Sequence, residues 1–475
     1  MTSGSTRLRN AARRLGYRVV RLRFNVRRAL TGFRVSPAER LLIAPQELEP
    51  GDPSFAVAFY SGHIMLAGRS AQTRGQSPFE IAPPSHGWAR QLHGFSWLRH
   101  FRDTDNVVIR HHARAIVGDW LKMRDLRSDP TAQLPPVAAR RVLSWLSNAT
   151  LLLSDAEHGY YHRFMRSLAR DALWLEFCAR RRTLEMGRLT CAIALASYTL
   201  CALTNENDWK RASALLAAAL AELILPDGVP VSRNPEDALA AAIDLLQLRT
   251  AYHARGRTPP AGLQAAIDRL MGFLALMRHP DGALGLFNGM GATSLVLLGA
   301  VLAFDDSGQA TPSVTSEGGY LRATRSDAVL IADTGAAPPA SASEDAHASA
   351  LSFEFSTEHD RLIVNCGSAP SGMDDMREAL RETPAHSTVA VDGASSARFQ
   401  TVQAQDGAVR RRMLGAPAAV QADRIAAEAG ATLTLRHDGY RRAYGLAHVR
   451  TLALAADGAC LEGDDLLEPV GTGKE

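Results

Sequence analysis

What most constrains this chain is a long succession of helical segments of similar length, cut by short turn sequences. From Trp88 onward apolar residues recur at helical spacing. Asp105 to Met123, for example, carries Val107, Val108, Ile109, Ala115, Ile116 and Trp120. The same pattern predicts helices over 136–153, 158–179, 184–203, 208–225, 236–254, 260–277 and 292–304. Asp129-Pro130, Asn205-Glu206, Pro226-Asp227-Gly228, Pro259-Pro260 and Pro280-Asp281-Gly282 punctuate the series. Helices of this kind joined by short loops pack as antiparallel neighbours. The series therefore reads as stacked helical hairpins, forming a solenoid or closing into a toroid.

Two of the loops echo each other. Leu225-Pro-Asp-Gly228 runs through Arg233-Asn234-Pro235 into a helix, and His279-Pro-Asp-Gly282 runs through Phe287-Asn288-Gly289 into the next. Such a repeat would place polar side chains at equivalent ends of two hairpins. Pro-Asp-Gly also makes a good turn anywhere, so turn chemistry alone is the simpler account of the echo.

After Ala303 the composition shifts. Residues 305–318 are rich in Ser, Thr, Gly, Asp and Pro and read as a linker between a helical unit over 85–304 and a β unit over 319–475. Strands are expected at 319–324, 328–333, 431–436, 448–454 and 460–462, and short strands so spaced argue for an antiparallel sandwich. The pattern stops soon after Gly463-Asp464-Asp465, an abrupt end for such a domain. Within the β unit, Asp345 to Phe355 alternates at Leu351, Phe353 and Phe355 and reads as a strand with one buried face. Arg361 to Asn365 returns as a second strand, and Thr383-Pro-Ala-His386 precedes a β-branched run. His347, Asn365 and His386 would then gather on one sheet.

Residues 1–84 form a basic arm followed by a short α/β segment. Ten arginines lie in the first 34 residues with no acid before Glu39, punctuated by Val19, Val20, Leu22, Phe24 and Leu30. This pattern fits an amphipathic helix on an anionic membrane surface and fits a solvated arm equally well. Ser54–Tyr60 and His63–Ala67 read as strands of a hairpin turning at Ser61-Gly62. No run reaches the ~20 apolar residues of a membrane span, and the arm lacks the apolar core of a secretory signal. Five scattered cysteines give neither a disulfide framework nor a CxxC zinc motif. A net charge of +4 over 475 residues makes no case for nucleic acid.

The helical series and the β unit together resemble the heparinase II/III-like polysaccharide lyase family. Leu225 to Pro235, His279-Pro-Asp-Gly282, Phe287-Asn-Gly289, Gly319-Tyr-Leu-Arg322, Ala346 to Glu354, Thr383 to Thr388 and His437-Asp-Gly-Tyr440 carry the resemblance. It implies an α+β multidomain fold: an incomplete (α/α) toroid followed by an antiparallel β-sandwich, with an acidic polysaccharide in the cleft between them. The implied chemistry is β-elimination at a uronic acid, which needs carboxylate neutralisation, a base for the C5 proton and an acid for the departing O4.

Several positions depart from the family pattern. A family Asn-His-x-x-Glu stretch reads Arg181-Arg182-Thr-Leu-Glu185 here, the expected Tyr reads Asp237, and an expected His reads Asp345. The zinc site implied by the family maps to His347, Asn365 and His386, with neutral Asn in place of Asp, and the reaction itself requires no cofactor. Glu185, Asp237 and Asp345 are the candidate proton-transfer groups, and Arg182 and Glu185 would share a helical face. Arg182, Arg188, Arg233, Asn234 and Asn288 are the candidate sugar-binding groups. A lyase, a catalytically altered glycan-binding protein, a two-carboxylate glycoside hydrolase and a structural, membrane-docked protein are the competing functions. The resemblance implies the cell envelope or periplasm, and the missing secretory pattern points to the cytoplasm.

Overall fold

The computed structural model describes residues 37–126, 130–183, 185–304, 311–315, 317–358, 360–403, 409–417, 420–427 and 430–471. The Arg-rich arm lies outside them, apart from its junction with the fold. In chain order the first elements are α1 (Pro53–Tyr60), β1 (His63–Leu66), β2 (Arg69–Gln72), α2 (His86–Gly94), α3 (Leu98–Arg102) and α4 (Val107–Leu126). There follow α5 (Pro135–Ser147), α6 (Ala149–Leu153), α7 (His158–Ala179), α8 (Met186–Cys201), α9 (Glu206–Leu223), α10 (Pro235–Ala254), α11 (Leu263–Met277) and α12 (Leu295–Leu302). None of the described helices is long and apolar enough to cross a membrane.

The helical unit is organised around α8. Its sequence, Met186-Gly-Arg-Leu-Thr-Cys-Ala-Ile-Ala-Leu-Ala-Ser-Tyr-Thr-Leu-Cys201, is apolar around most of its circumference, and it is buried accordingly. It packs against α5, α7, α9 and α10. Small residues (Ala192, Ala194, Ala196) allow these close approaches. The segment at 54–60 is a helix, not a strand. Asp52 caps it by accepting from Ser54 N, and Pro53 supplies the φ of a first helical turn. A short apolar run is ambiguous by pattern alone, and here the cap decides.

The β unit contains β3 (Tyr320–Arg325), β4 (Ala328–Asp333), β5 (Phe353–Thr357) and β6 (Asp360–Ile363) in one antiparallel sheet. A short helix α13 (Asp374–Ala379) and a hairpin of β7 (Phe399–Gln403) and β8 (Val409–Met413) follow. The second sheet has β9 (Val420–Ala427), β10 (Gly430–His437), β11 (Leu446–Ala455) and β12 (Leu461–Pro469), with the single-turn helix α14 (Arg441–Tyr444) between β10 and β11. Leu321, Leu330, Phe353 and Phe355 meet Leu433, Leu435, Leu452 and Leu454 in the sandwich core.

The other face of the first sheet is not solvated. Tyr320, Val329 and Ile331 join the helical core, so this sheet is the middle of three layers. The expected one-faced burial of 351–355 is therefore corrected. Ser352, Glu354 and Ser356 are as buried as their apolar neighbours, because the helical unit covers them. Ser313 to Thr315, read as linker, already bond to the sheet through Arg322 N to Ser313 O and Thr315 N to Tyr320 O.

The stretch from Thr383 is not a strand. Pro384 cannot donate to a ladder, and Thr383–Ala385 forms one 3-10 turn. Side chains from both sheets then hold the backbone of the next residues. Ser387 N donates to Asn365 Oδ1, Arg450 donates to Ser387 O, and Tyr440 donates to Val389 O.

Candidate functional site

The two echoed loops have matching geometry. In the first, Leu225 N donates to Val229 O, Gly228 N to Leu225 O and Val231 N to Leu223 O. In the second, His279 N donates to Ala283 O, Gly282 N to His279 O and Gly285 N to Met277 O. Asp227 and Asp281 each accept from the backbone N–H two residues on. Each loop then turns through a non-glycine residue with positive φ, Arg233 at 59° and Asn288 at 45°. The repeat is thus structural, and both loops face the β unit.

Arg233 is buried. It donates to Gly318 O and Gly319 O, pairs with Asp333 at 2.6 Å and lies over the Tyr320 ring at 4.7 Å. Asn288 donates to Tyr320 Oη at 2.7 Å and accepts from His347 N at 3.3 Å. Asn234 caps α10 by accepting from Glu236 N. These groups sit inside the interdomain joint, not on an open sugar-binding wall. Arg188 is also buried, paired with Glu222 at 2.7 Å and donating to Thr183 O. Arg182 is exposed in the loop before α8. Arg182 and Glu185 precede that helix, so they do not share a helical face. Glu185 reaches across to Arg412 of β8 at 3.7 Å, and Arg412 also pairs with Glu344.

Where the two units meet, acids from both come together. Gly289 packs against the Asp345 backbone, closely enough that a Cβ there would meet Asp345 O at 2.8 Å. Burial pushes the Asp237 carboxyl up to about 7. The Ser232 hydroxyl, donating at 2.6 Å, opposes that rise, while Asp345 and Glu236 add to it. Glu236 is raised too, first by burial and then by Asp345, with Arg377 opposing. Arg377 bonds to Asp345 at 2.7 Å and to Ala369 O. Thus Asp237, Glu236 and Asp345 lie within electrostatic reach of one another, and Glu185 meets Arg412, which also pairs with Glu344.

Behind Asp345 sit two buried imidazoles, His347 and His386, with ring centroids 5.0 Å apart. Burial holds His386 down at about 4 and His347 well below the usual range, so both are neutral at neutral pH. Asn365 Oδ1 accepts from His386 Nδ1 at 3.3 Å and from Ser387 N at 3.2 Å, and Asn365 Nδ2 donates to Glu354 at 3.3 Å. The carboxamide oxygen is therefore turned to protein donors. His347 Nδ1 and His386 Nε2 lack partners, but they are only two nitrogens. Among the described residues no group of three His, Cys, Asp or Glu converges for a metal. This donor set does not fit a zinc ion, which takes three or four anionic or imidazole ligands.

Sequence reasoning missed the groups that hold the site together. Glu354, fully buried, binds His279 at 3.1 Å, Leu286 N and Asn365 N at 3.0 Å, and Arg361 at 3.4 Å. Asp333 binds Arg233 and Ser349. The available signal was a carboxylate at the end of the apolar strand Ala328-Val-Leu-Ile-Ala-Asp333, and another between Phe353 and Phe355.

Residues 309–474 match the family model described as Heparinase II/III-like, C-terminal. A crystal structure of heparinase III is similar with a TM-score of 0.66 and 14% identity, over 87% of this chain and 70% of that one. Heparan sulfate lyase HepC from Pedobacter heparinus, crystallised as a mutant, gives a TM-score of 0.53 at 14% identity, over 86% of this chain and 68% of that one. FtsZ-localized protein C of Caulobacter vibrioides (strain NA1000 / CB15N) is 30% identical over 440 residues, 91% of this chain and 74% of that protein. The chain belongs to the heparinase II/III-like family. Its toroid and β domain are those of the heparinase fold, and its family relationship now covers a lyase fold and a protein named for its localisation. The positions at which the resemblance expects a Tyr and a His carry Asp237 and Asp345, and Arg233 and Arg188 are bonded to the protein itself.

Proposed function

We propose that this chain is a glycan-binding member of the heparinase II/III-like family that localises with FtsZ, without the β-elimination chemistry of a uronate lyase. The observation that carries this reading is the state of the arginines in and around the joint between the two units. Arg233, Arg188, Arg377, Arg411 and Arg412 are each paired with a protein carboxylate, so little unpaired cationic charge remains to neutralise a uronate. Elimination without that neutralisation leaves the C5 proton too weakly acidic for a carboxylate base. Localisation with FtsZ rests on the 30% identity with FtsZ-localized protein C. Digestion of a panel of uronic-acid polymers should give no new ultraviolet absorbance from an unsaturated uronate, while equilibrium binding to a glycan should be saturable. A fluorescent fusion should colocalise with FtsZ; a diffuse signal would refute the localisation.

A second reading keeps catalysis, and Asp237 favours it. A carboxyl raised to about 7 suits either half of a proton transfer at neutral pH. In that case turnover on an acidic polysaccharide rises or falls around pH 7, and Asp237→Asn abolishes it. The Arg-rich arm would, in either case, contact an anionic membrane surface, and co-sedimentation with phosphatidylserine vesicles tests it.

A further inference from the structure

The helix α1 carries a face that the fold does not explain. From Pro53 to Tyr60 it holds no charged residue. Its inner face is accounted for: Ala56 and Phe59 are buried, and the Phe59 ring packs on Trp97 at 4.7 Å and on Phe101 at 5.4 Å. A helix apolar on all sides is normally buried on all sides. Here the outer side is open. Val57 and Tyr60 lie one turn apart on it, and Tyr60 meets His112 of α4 edge-on at 5.1 Å. Val108 lies one turn before His112 on the same face of α4, next to Val107. These four apolar residues are 45–59% exposed. Joined through His112, they form one strip across two helices, and a continuous exposed apolar strip marks an interaction surface.

Charge decides what covers it. Arg110 and His111 follow the two valines on α4 and are exposed. Of the neighbouring acids, Glu49 is paired with Arg99, Glu47 and Asp103 are paired with Arg102, Asp52 caps α1, and Asp105 is exposed. The chain just ahead of α1 is fixed to the helical unit, with Leu42 N donating to Cys201 O and Tyr161 Oη donating to Glu39 O. The ten arginines among the first 34 residues enter the fold through this segment, which leads directly into α1. A second copy seated on the strip would bring two such arms together, and like charges oppose that. An anionic surface is attracted by both the arm and the α4 cations.

We infer that this strip seats the folded chain on an anionic lipid bilayer. The inference rests on the arm's contact with an anionic membrane proposed above, and it adds a second contact, made by the fold itself. Val57, Val107 and Val108 suit the boundary between headgroups and acyl chains. Tyr60 brings a ring with a polar tip, the kind of side chain that collects at that depth. Arg110 and His111 then lie beside the apolar contact, where lipid phosphates are found. Neither contact suffices alone. Attraction of an arginine arm is screened by salt, and insertion of a few side chains is marginal. Two such signals together hold a protein on a membrane.

Sedimentation of the full chain with phosphatidylcholine vesicles containing phosphatidylserine, at low and high salt, tests the strip. The wild type should bind, and part of its binding should survive high salt, where the arm is screened. Val57→Gln/Val108→Gln removes apolar surface and adds no charge. It should weaken binding about tenfold and abolish the salt-resistant part. Both positions are about half exposed, so the melting temperature should be unchanged, and Val57→Leu/Val108→Leu should bind like wild type. Arg23→Ser/Arg27→Ser/Arg28→Ser should weaken binding at low salt only. A Gln variant that binds as tightly as wild type overturns the strip and leaves the arm reading intact. Loss of self-association in that variant, with vesicle binding unchanged, assigns the strip to a second copy and overturns it too. A wild type that binds no anionic vesicle overturns both contacts.

Discussion

The two Pro-Asp-Gly loops share a backbone and differ in what they attach. The first sends Arg233 into the interior, where it bonds Asp333 and two carbonyls, and the helical turn after it brings Asp237 close to Asp345. The second sends His279 to Glu354 and Ser356 and uses Asp281 to hold Arg361 near the surface. The first is thus a buried ionic joint that ends in the candidate site. The second is a largely hydrogen-bonded joint with a partly exposed ion pair. A common turn therefore says where a loop goes, and the side chains on and just after it say what it does.

The largest difference should appear when each ion pair is cut. Arg233→Met leaves Asp333 charged in the interior and should cost about 3–5 kcal/mol. Asp281→Asn weakens a pair whose side chains are 15% and 29% exposed and should cost about 1 kcal/mol or less. Denaturant midpoints measure both. Equal midpoints would mean that the buried joint is no stronger than the exposed one.

How far the sequence predicts this arrangement depends on the kind of force involved. The α7 helix lies at 158–179 as read, because a long apolar period leaves little else for the chain to do. Strands β7 to β9 went unseen. Val409-Arg-Arg-Arg-Met413 has no alternation, and its arginines are held by Glu344 and Glu382 from distant segments. The neighbourhood of His347, Asn365 and His386 was legible through family resemblance. The burial of Arg233 was not, since an arginine after a turn ordinarily meets water and only the covering sheet makes it interior. Asp237 was singled out from the sequence, but its raised titration comes first from burial by the surrounding fold and only then from Asp345, more than a hundred residues away.

The glycines of the two turns offer the next test. Gly228 and Gly282 have φ of 84° and 88°, so alanine at either meets the left-handed penalty of ~1–2 kcal/mol. Their surroundings differ. A Cβ on Gly228 would lie 1.9 Å from Arg269 O, a backbone atom, whereas on Gly282 the nearest atom is a Leu295 methyl at 3.7 Å. Gly228→Ala should therefore cost about 3 kcal/mol, overpacking included, and Gly282→Ala about 1 kcal/mol. A Gly282→Ala melting temperature as low as that of Gly228→Ala would show that φ alone governs both turns.

The smallest expected effect is the pH signature of the first loop. Asp237 has an ordinary value of 3.8 and a folded value of about 7, so the folded chain keeps its proton where the unfolded chain has lost it. Stability from that proton is complete below about pH 4 and fades as pH rises toward 7. Asp237→Asn removes the dependence. It should match wild type at low pH and exceed it above neutrality, by on the order of 1 kcal/mol, because the half-buried carboxylate is screened by solvent. Ser232→Ala, which removes the hydroxyl that favours the ionised form, should move the fade to higher pH. Melting temperatures of the three proteins across pH 4 to 9 separate these curves. Parallel curves for wild type and Asp237→Asn would place the carboxylate in water, and with it would go the case for Asp237 as a proton-transferring group.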